Sequence, residues 1–131
     1  MTTHAASAIE MKRWEERPFA ESEGTPKLAR VDGSDLYHGA IEGEATFEYL
    51  MLYRDEGLTS YVGLERVVGR LGGRQGSFVL QVIGTHQEGL VEASIEVVSG
   101  SGTGELRGLS GSGAVRWQTD QGTVTLDYDI A

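Results

Sequence analysis

The sequence predicts a closed, eight-stranded antiparallel β-barrel. Three observations predict it. Eight apolar or alternating runs are separated by short turn signals, among them Asp55-Glu56-Gly57, Gly72-Gly73 and Glu88-Gly89. Register counted outward from those three turns sets the apolar residues of four successive strands on one face. The chain has 131 residues, enough for one domain (1–131) with a single core.

The strands fall at about 4–14, 28–38, 43–54, 58–71, 76–87, 90–98, 113–119 and 122–130. Between the first two, residues 15–27 hold both prolines and read as a polar surface loop. If Asp55-Glu56-Gly57 turns the third strand into the fourth, Phe47 stands opposite Glu65, Tyr49 opposite Gly63 and Met51 opposite Tyr61. A two-residue turn at Gly72-Gly73 brings Phe78, Leu80, Val82 and His86 onto that face. A turn at Glu88-Gly89 adds Val91, Ala93, Ile95 and Val97. At the C-terminus a turn at Asp120-Gln121 sets Val115 and Trp117 beside Val124, Leu126 and Tyr128, while Thr123, Thr125, Asp127 and Asp129 face away. The Gly-rich stretch 100–113 separates these two strands from the rest. Within it, Thr103–Leu109 is expected to make one short helical turn that closes a barrel end.

The outward face is not purely polar. Leu50, Leu52, Val62, Leu64, Val68, Val79 and Ile83 lie on it. A single-layer barrel in water does not leave such a stripe uncovered. A homo-oligomer, most simply a dimer, is therefore expected through it.

Composition narrows the partners. A formal net charge of -9 argues against nucleic acid and anionic membranes, which need clustered Lys and Arg. With no cysteine, disulfides, thiolate metal sites and Cys nucleophiles are excluded. The N-terminus lacks the pattern of a signal peptide, and no run is long enough to span a bilayer, so a cytoplasmic protein is expected. His4, His38 and His86 have no metal-ligand spacing, and neither metal nor cofactor is expected. The Gly-rich stretch contains no G-x-x-x-x-G-K-[ST], so it is not a phosphate loop. Arg66, on the outer face, is expected to form a salt-bridge ladder with Glu44 and Glu48.

The inward face carries the candidate chemistry. Glu65 is its lone carboxylate in the strands counted, and apolar neighbours raise a carboxyl pKa toward the range useful for proton transfer. Tyr49 and Tyr61 could polarise a carbonyl or epoxide oxygen. Phe47, Met51, Phe78, Leu80, Val82, His86, Ile95, Trp117 and Tyr128 would shape a ligand. Each has a plainer reading: a structural carboxylate bonded to a tyrosine, core tyrosines, a Trp plugging the barrel, a rim histidine.

Five segments together resemble a known family: Ile41–Met51, Tyr61–Gly69, Gly76–Gln81, Gly100–Leu106 and Leu126–Asp129. They resemble the bacterial DUF3224 family, a domain of unknown function grouped with the allene oxide cyclase-like barrels. The resemblance spans nearly the whole chain and implies an eight-stranded barrel, often oligomeric. Relatives with this barrel include plant cyclases of fatty-acid epoxides and bacterial cyclases of polyketides, which share fold more than site residues. This chain departs from the family where Val82 replaces a polar residue, often His, where Ile95 replaces an aromatic, and where Ser99 replaces Pro. The first two changes make the lumen more apolar.

The leading expectation is a barrel that binds a small hydrophobic molecule and acts as a cofactor-free isomerase or cyclase, by folding the substrate and moving a proton. The alternatives are a non-catalytic carrier and a structural oligomer with a filled barrel.

Overall fold

The structure is a computed structural model that describes residues 2–131. The strands are β1 (Thr3–Ala20), β2 (Lys27–Gly39), β3 (Ile41–Tyr53), β4 (Thr59–Leu71), β5 (Arg74–Gln87), β6 (Leu90–Val97), β7 (Thr103–Gly104), β8 (Leu109–Gln118) and β9 (Gln121–Ile130). One 3-10 turn, Asp55–Gly57, joins β3 to β4. Neighbours run β4-β3-β2-β1-β9-β8-β6-β5, and a β4–β5 ladder closes the ring. All pairings are antiparallel, which gives the expected closed eight-stranded barrel. The two-residue β7 is an addition. It pairs with Gly76 and Ser77 of β5, beyond the reach of β6.

Register from the hairpins holds through the middle of the chain. Phe47 lies opposite Glu65, Tyr49 opposite Gly63 and Met51 opposite Tyr61. Glu65 in turn faces Leu80, and Val82 faces Ile95. At Gly72-Gly73 the φ angles are 58° and 84°, the left-handed pair that a two-residue hairpin twist requires.

Five expectations need correction. Residues 15–20 are not loop: β1 continues through Ala20, paired with β2 down to Ala20–Leu28. β9 pairs with β1 only as far as Ile9, so beyond Glu10 one edge of β1 faces no strand. Pro18 sits in that stretch, where a missing N–H costs no ladder bond. The Gly-rich stretch is likewise strand from Leu109, because Gly111 and Gly113 pack their backbones against β9. Thr103–Leu109 is not helical. It is β7 followed by successive turns, with Leu106 N–H bonded to Thr103 O at 3.0 Å and Leu109 N–H to Leu106 O at 3.2 Å. The last hairpin turns at Thr119-Asp120, with Gln118 opposite Gln121. The shift changes register by an even number of residues, so Val115, Trp117, Val124, Leu126 and Tyr128 keep their shared face. On the outside, Glu48 pairs with Arg30 at 3.2 Å in place of the expected Arg66 ladder.

One irregularity positions the site. The β1–β2 register shifts between Met11 and Arg13, leaving Lys12 as the extra residue of a bulge. Before the bulge, Ala5, Ser7 and Ile9 face inward. After it, Trp14 and Glu16 face the lumen, opposite Gly33 and Val31.

The core fills the half of the barrel at the Gly72-Gly73 end. Ile41, Leu71 and Leu106 are 0 % exposed there, with Phe78, Val67 and Leu126 packed among them. Each such side chain contributes about 1.5–3 kcal/mol relative to exposure. Leu106 enters from the turn after β7 and plugs this end, the role expected of the segment. Among the described residues, no helix is long and apolar enough to cross a membrane.

Candidate functional site

The other half of the barrel is hollow. A cavity of about 860 Å³ reaches from the lumen to the rim at Tyr53, Thr59, Gly89 and Asp120. Glu65 lies in it at only 2 % exposure. The Tyr37 hydroxyl donates a short hydrogen bond to Glu65 Oε2, and the Tyr49 hydroxyl donates to Oε1 at 3.5 Å. Burial pushes the Glu65 carboxyl from its ordinary 4.5 up to about 7, and the two hydroxyls pull in the other direction without overcoming it.

A second carboxyl lines the same cavity. Asp35 is 6 % exposed, and its Oδ1 accepts no hydrogen bond within the protein. Burial first, and the Glu65 charge second, raise it from 3.8 to about 7. Burial and Glu65 also raise the Tyr37, Tyr49 and Tyr61 hydroxyls, which therefore stay protonated and act as donors.

Aromatic rings make the wall. Trp14 and Phe47 have centroids 6.0 Å apart, Phe47 stacks on Tyr49 at 4.5 Å, and Tyr49 tilts against Tyr61 at 5.0 Å. At the rim the Tyr53 hydroxyl donates a short bond to Glu16, and burial with that carboxylate pushes the phenol to about 12. Phe47 fits because Gly33 has no side chain. A Cβ there would lie 2.5 Å from Phe47 Cζ.

Glu65, Tyr49, Tyr61, Phe47, Met51, Val82, His86 and Trp117, all singled out from sequence, line this one cavity. His86 is an exposed rim residue there. Phe78, Leu80, Ile95 and Tyr128 also point inward, but they belong to the buried core and not to the cavity lining. Asp35, Tyr37 and Trp14 escaped the sequence reading. The first two follow from the same hairpin counting: a three-residue turn at Gly39-Ala40-Ile41 sets Tyr37 opposite Gly43 and Asp35 opposite Ala45. Trp14 depends on the bulge, and no residue pattern in the chain announces it. The site thus holds two acids poised to exchange protons near neutrality, beside neutral phenol donors. Among the described residues no three His, Asp or Glu side chains are grouped as a metal site.

Comparison with known proteins gives a family and a fold relative. The profile of the DUF3224 family, described as a protein of unknown function, matches residues 5–129. No curated protein matches the chain. A solved structure from Shewanella oneidensis MR-1, titled a protein with unknown function from the DUF3224 family, is similar at 30% identity and a TM-score of 0.83. That match covers 100% of this chain and 99% of the other. With the family profile spanning nearly all of its length, the chain belongs to the DUF3224 family.

Proposed function

We propose that the hollow half of the barrel binds one small molecule with an apolar body, and that Glu65 moves a proton on it, in an isomerisation or ring closure without a cofactor. The observation that carries this is a carboxyl poised at about 7, hydrogen-bonded by tyrosines, inside a cavity of about 860 Å³. Such an acid can both give and take a proton near neutral pH. Tyr49 and Tyr61 would polarise a substrate oxygen. Phe47, Met51, Val82 and Trp117 would fold the substrate toward its reactive shape, which by itself supplies rate. The cavity weighs against a solid, purely structural barrel.

A non-catalytic carrier is the second reading. It is favoured by the engagement of both Glu65 oxygens by Tyr37 and Tyr49. The test is a panel of small cyclic ketones and epoxides followed by NMR on labelled protein. Perturbed Met51, Phe47 and Trp117 resonances support binding, and their silence across the panel refutes it. For any compound that turns over, Glu65→Gln should abolish turnover and keep affinity if Glu65 is the proton-transfer group.

Assembly belongs to the same reading. Leu50, Val62, Leu64, Val68 and Ile83 are each more than 40 % exposed on β3, β4 and β5. Arg66 lies beside this stripe, with Glu44 and Glu48 of the neighbouring strand. Charges of both signs around one apolar patch suit a two-fold contact with a second copy of the chain.

A further inference from the structure

The cavity lining is lopsided in charge. It includes the carboxylates of Glu10, Glu16, Asp35, Glu65 and Asp120, and neither a lysine nor an arginine. Some of these have partners. Glu10 is met by Lys12 at 3.6 Å and by His38 at 3.3 Å, and Glu16 accepts from the Tyr53 hydroxyl and from Trp14 Nε1. Asp35 is different. It is more than nine-tenths buried, it faces the cavity, and its Oδ1 has no donor. Buried acceptors in folded proteins are nearly always paired. An orphan beside a cavity points to a donor that arrives from outside. With Glu65 as a second buried carboxyl close enough to raise Asp35, that donor should carry positive charge.

The rest of the lining decides which kind of cation. Hard metal ions take six or more oxygen ligands. Here rings surround the two carboxyls: Phe47 opposite Glu65, with Trp14 and Tyr49 against it, then Tyr61, Tyr53 and Trp117 toward the mouth. Aromatic faces attract weakly hydrated organic cations. The rim already engages one ammonium, since Lys27 Nζ lies 4.3 Å from the Tyr53 ring centroid. The net charge of -9 draws cations toward the molecule from a distance.

We propose that the lumen selects an organic ammonium ion on an apolar body, its nitrogen held by the Asp35 carboxylate and its body by the surrounding rings. This rests on the small-molecule reading above and names the ligand class of that site. It has a consequence for pH. Asp35 is faced by Tyr37 on its own strand, Tyr49 on β3, Glu65 and Tyr61 on β4, and Met11 opposite on β1. None of these is a cation. Both carboxyls sit at about 7, so an arriving cation must find or make them ionised. Binding therefore releases protons, and affinity rises from about pH 6 to about pH 8.

The test uses three one-ring probes of similar size on the full chain: benzyldimethylammonium, whose one N–H can donate to Asp35, its neutral isostere isobutylbenzene, and the anionic phenylmethanesulfonate. Affinities are read from lumen NMR shifts, and proton release from calorimetry in two buffers. The expected result is that the ammonium binds at least about tenfold tighter than its neutral isostere, a difference of about 1.4 kcal/mol. The sulfonate should bind weakest, and the ammonium preference should grow with pH and collapse in Asp35→Asn. If isobutylbenzene or the sulfonate binds as tightly as the ammonium, the charge proposal is overturned while the small-molecule reading stands. If no probe perturbs the lumen, both are overturned. Should Asp35→Asn fail to fold, the probe ranking and pH profile of the unmodified protein decide the matter alone.

Discussion

Replacing Glu65 with Gln should make the barrel more stable at alkaline pH. The carboxyl moves from 4.5 to about 7 on folding because burial disfavours its charge. Each pKa unit corresponds to about 1.36 kcal/mol, so ionising Glu65 in the folded barrel costs about 3 kcal/mol. The sign follows from the raised value. The stability tied to the neutral acid is complete below the unfolded pKa and is lost as pH rises through about 7. Roughly 2 of those 3 kcal/mol fall between about pH 5.5 and about pH 8.5. Gln is isosteric, cannot ionise, and keeps an oxygen to accept from Tyr37. Urea unfolding of both proteins at the two pH values supplies the numbers. His38, whose imidazolium is held by Glu10 and Glu42, loses its own contribution in an overlapping window. The gap between variant and parent, not the slope of the parent, therefore reports Glu65 together with the repulsion its charge exerts on Asp35, which acts in the same direction. That gap should widen in the variant's favour by about 2 kcal/mol at the higher pH. A gap that stays constant means Glu65 titrates as in the unfolded chain, and the buried-acid argument fails.

Three further outcomes are expected. Tyr37→Phe removes the main donor to Glu65, so it should cost about 1–3 kcal/mol in urea unfolding and move the Glu65 midpoint still higher. Gly33→Ala places a Cβ 2.2 Å from Arg13 O and against the Phe47 ring; it should cost about 1–3 kcal/mol by thermal or urea melts and shift the Phe47 ring signals. Light scattering at micromolar concentration should give about twice the chain mass of 14.1 kDa, and Leu64→Lys should return the monomer. A parent protein already monomeric would remove the two-fold contact.

Legibility in the sequence followed the turns. Where Asp55-Glu56-Gly57, Gly72-Gly73 and Glu88-Gly89 fixed three successive hairpins, every pairing from Phe47–Glu65 to Val82–Ile95 could be counted. The misplaced turn near Asp120 did no harm to the face assignment, because side chains alternate with period two and the error was even. The long β1 was hidden for the opposite reason. Glu15, Glu16, Arg17 and Pro18 carry no apolar alternation, and their strand exists only because β2 offers a partner. Trp14 reaches the cavity through a bulge, a backbone event that residue types do not announce. Asp35 and Tyr37 were countable but lay beyond the hairpins that were counted. The split between a packed end and a hollow end was not legible at all. Phe78 and Phe47 share a face, yet Phe78 lies in the packed core and Phe47 lines the cavity.

The most direct test is a carbon-13 NMR titration of the side-chain carboxyls, read at Glu65. The account predicts a midpoint at about 7, well above the ordinary 4.5. A midpoint at or below 4.5 would contradict it, since Glu65 would then be an ordinary ionised carboxylate and not a buried acid able to exchange protons inside the barrel.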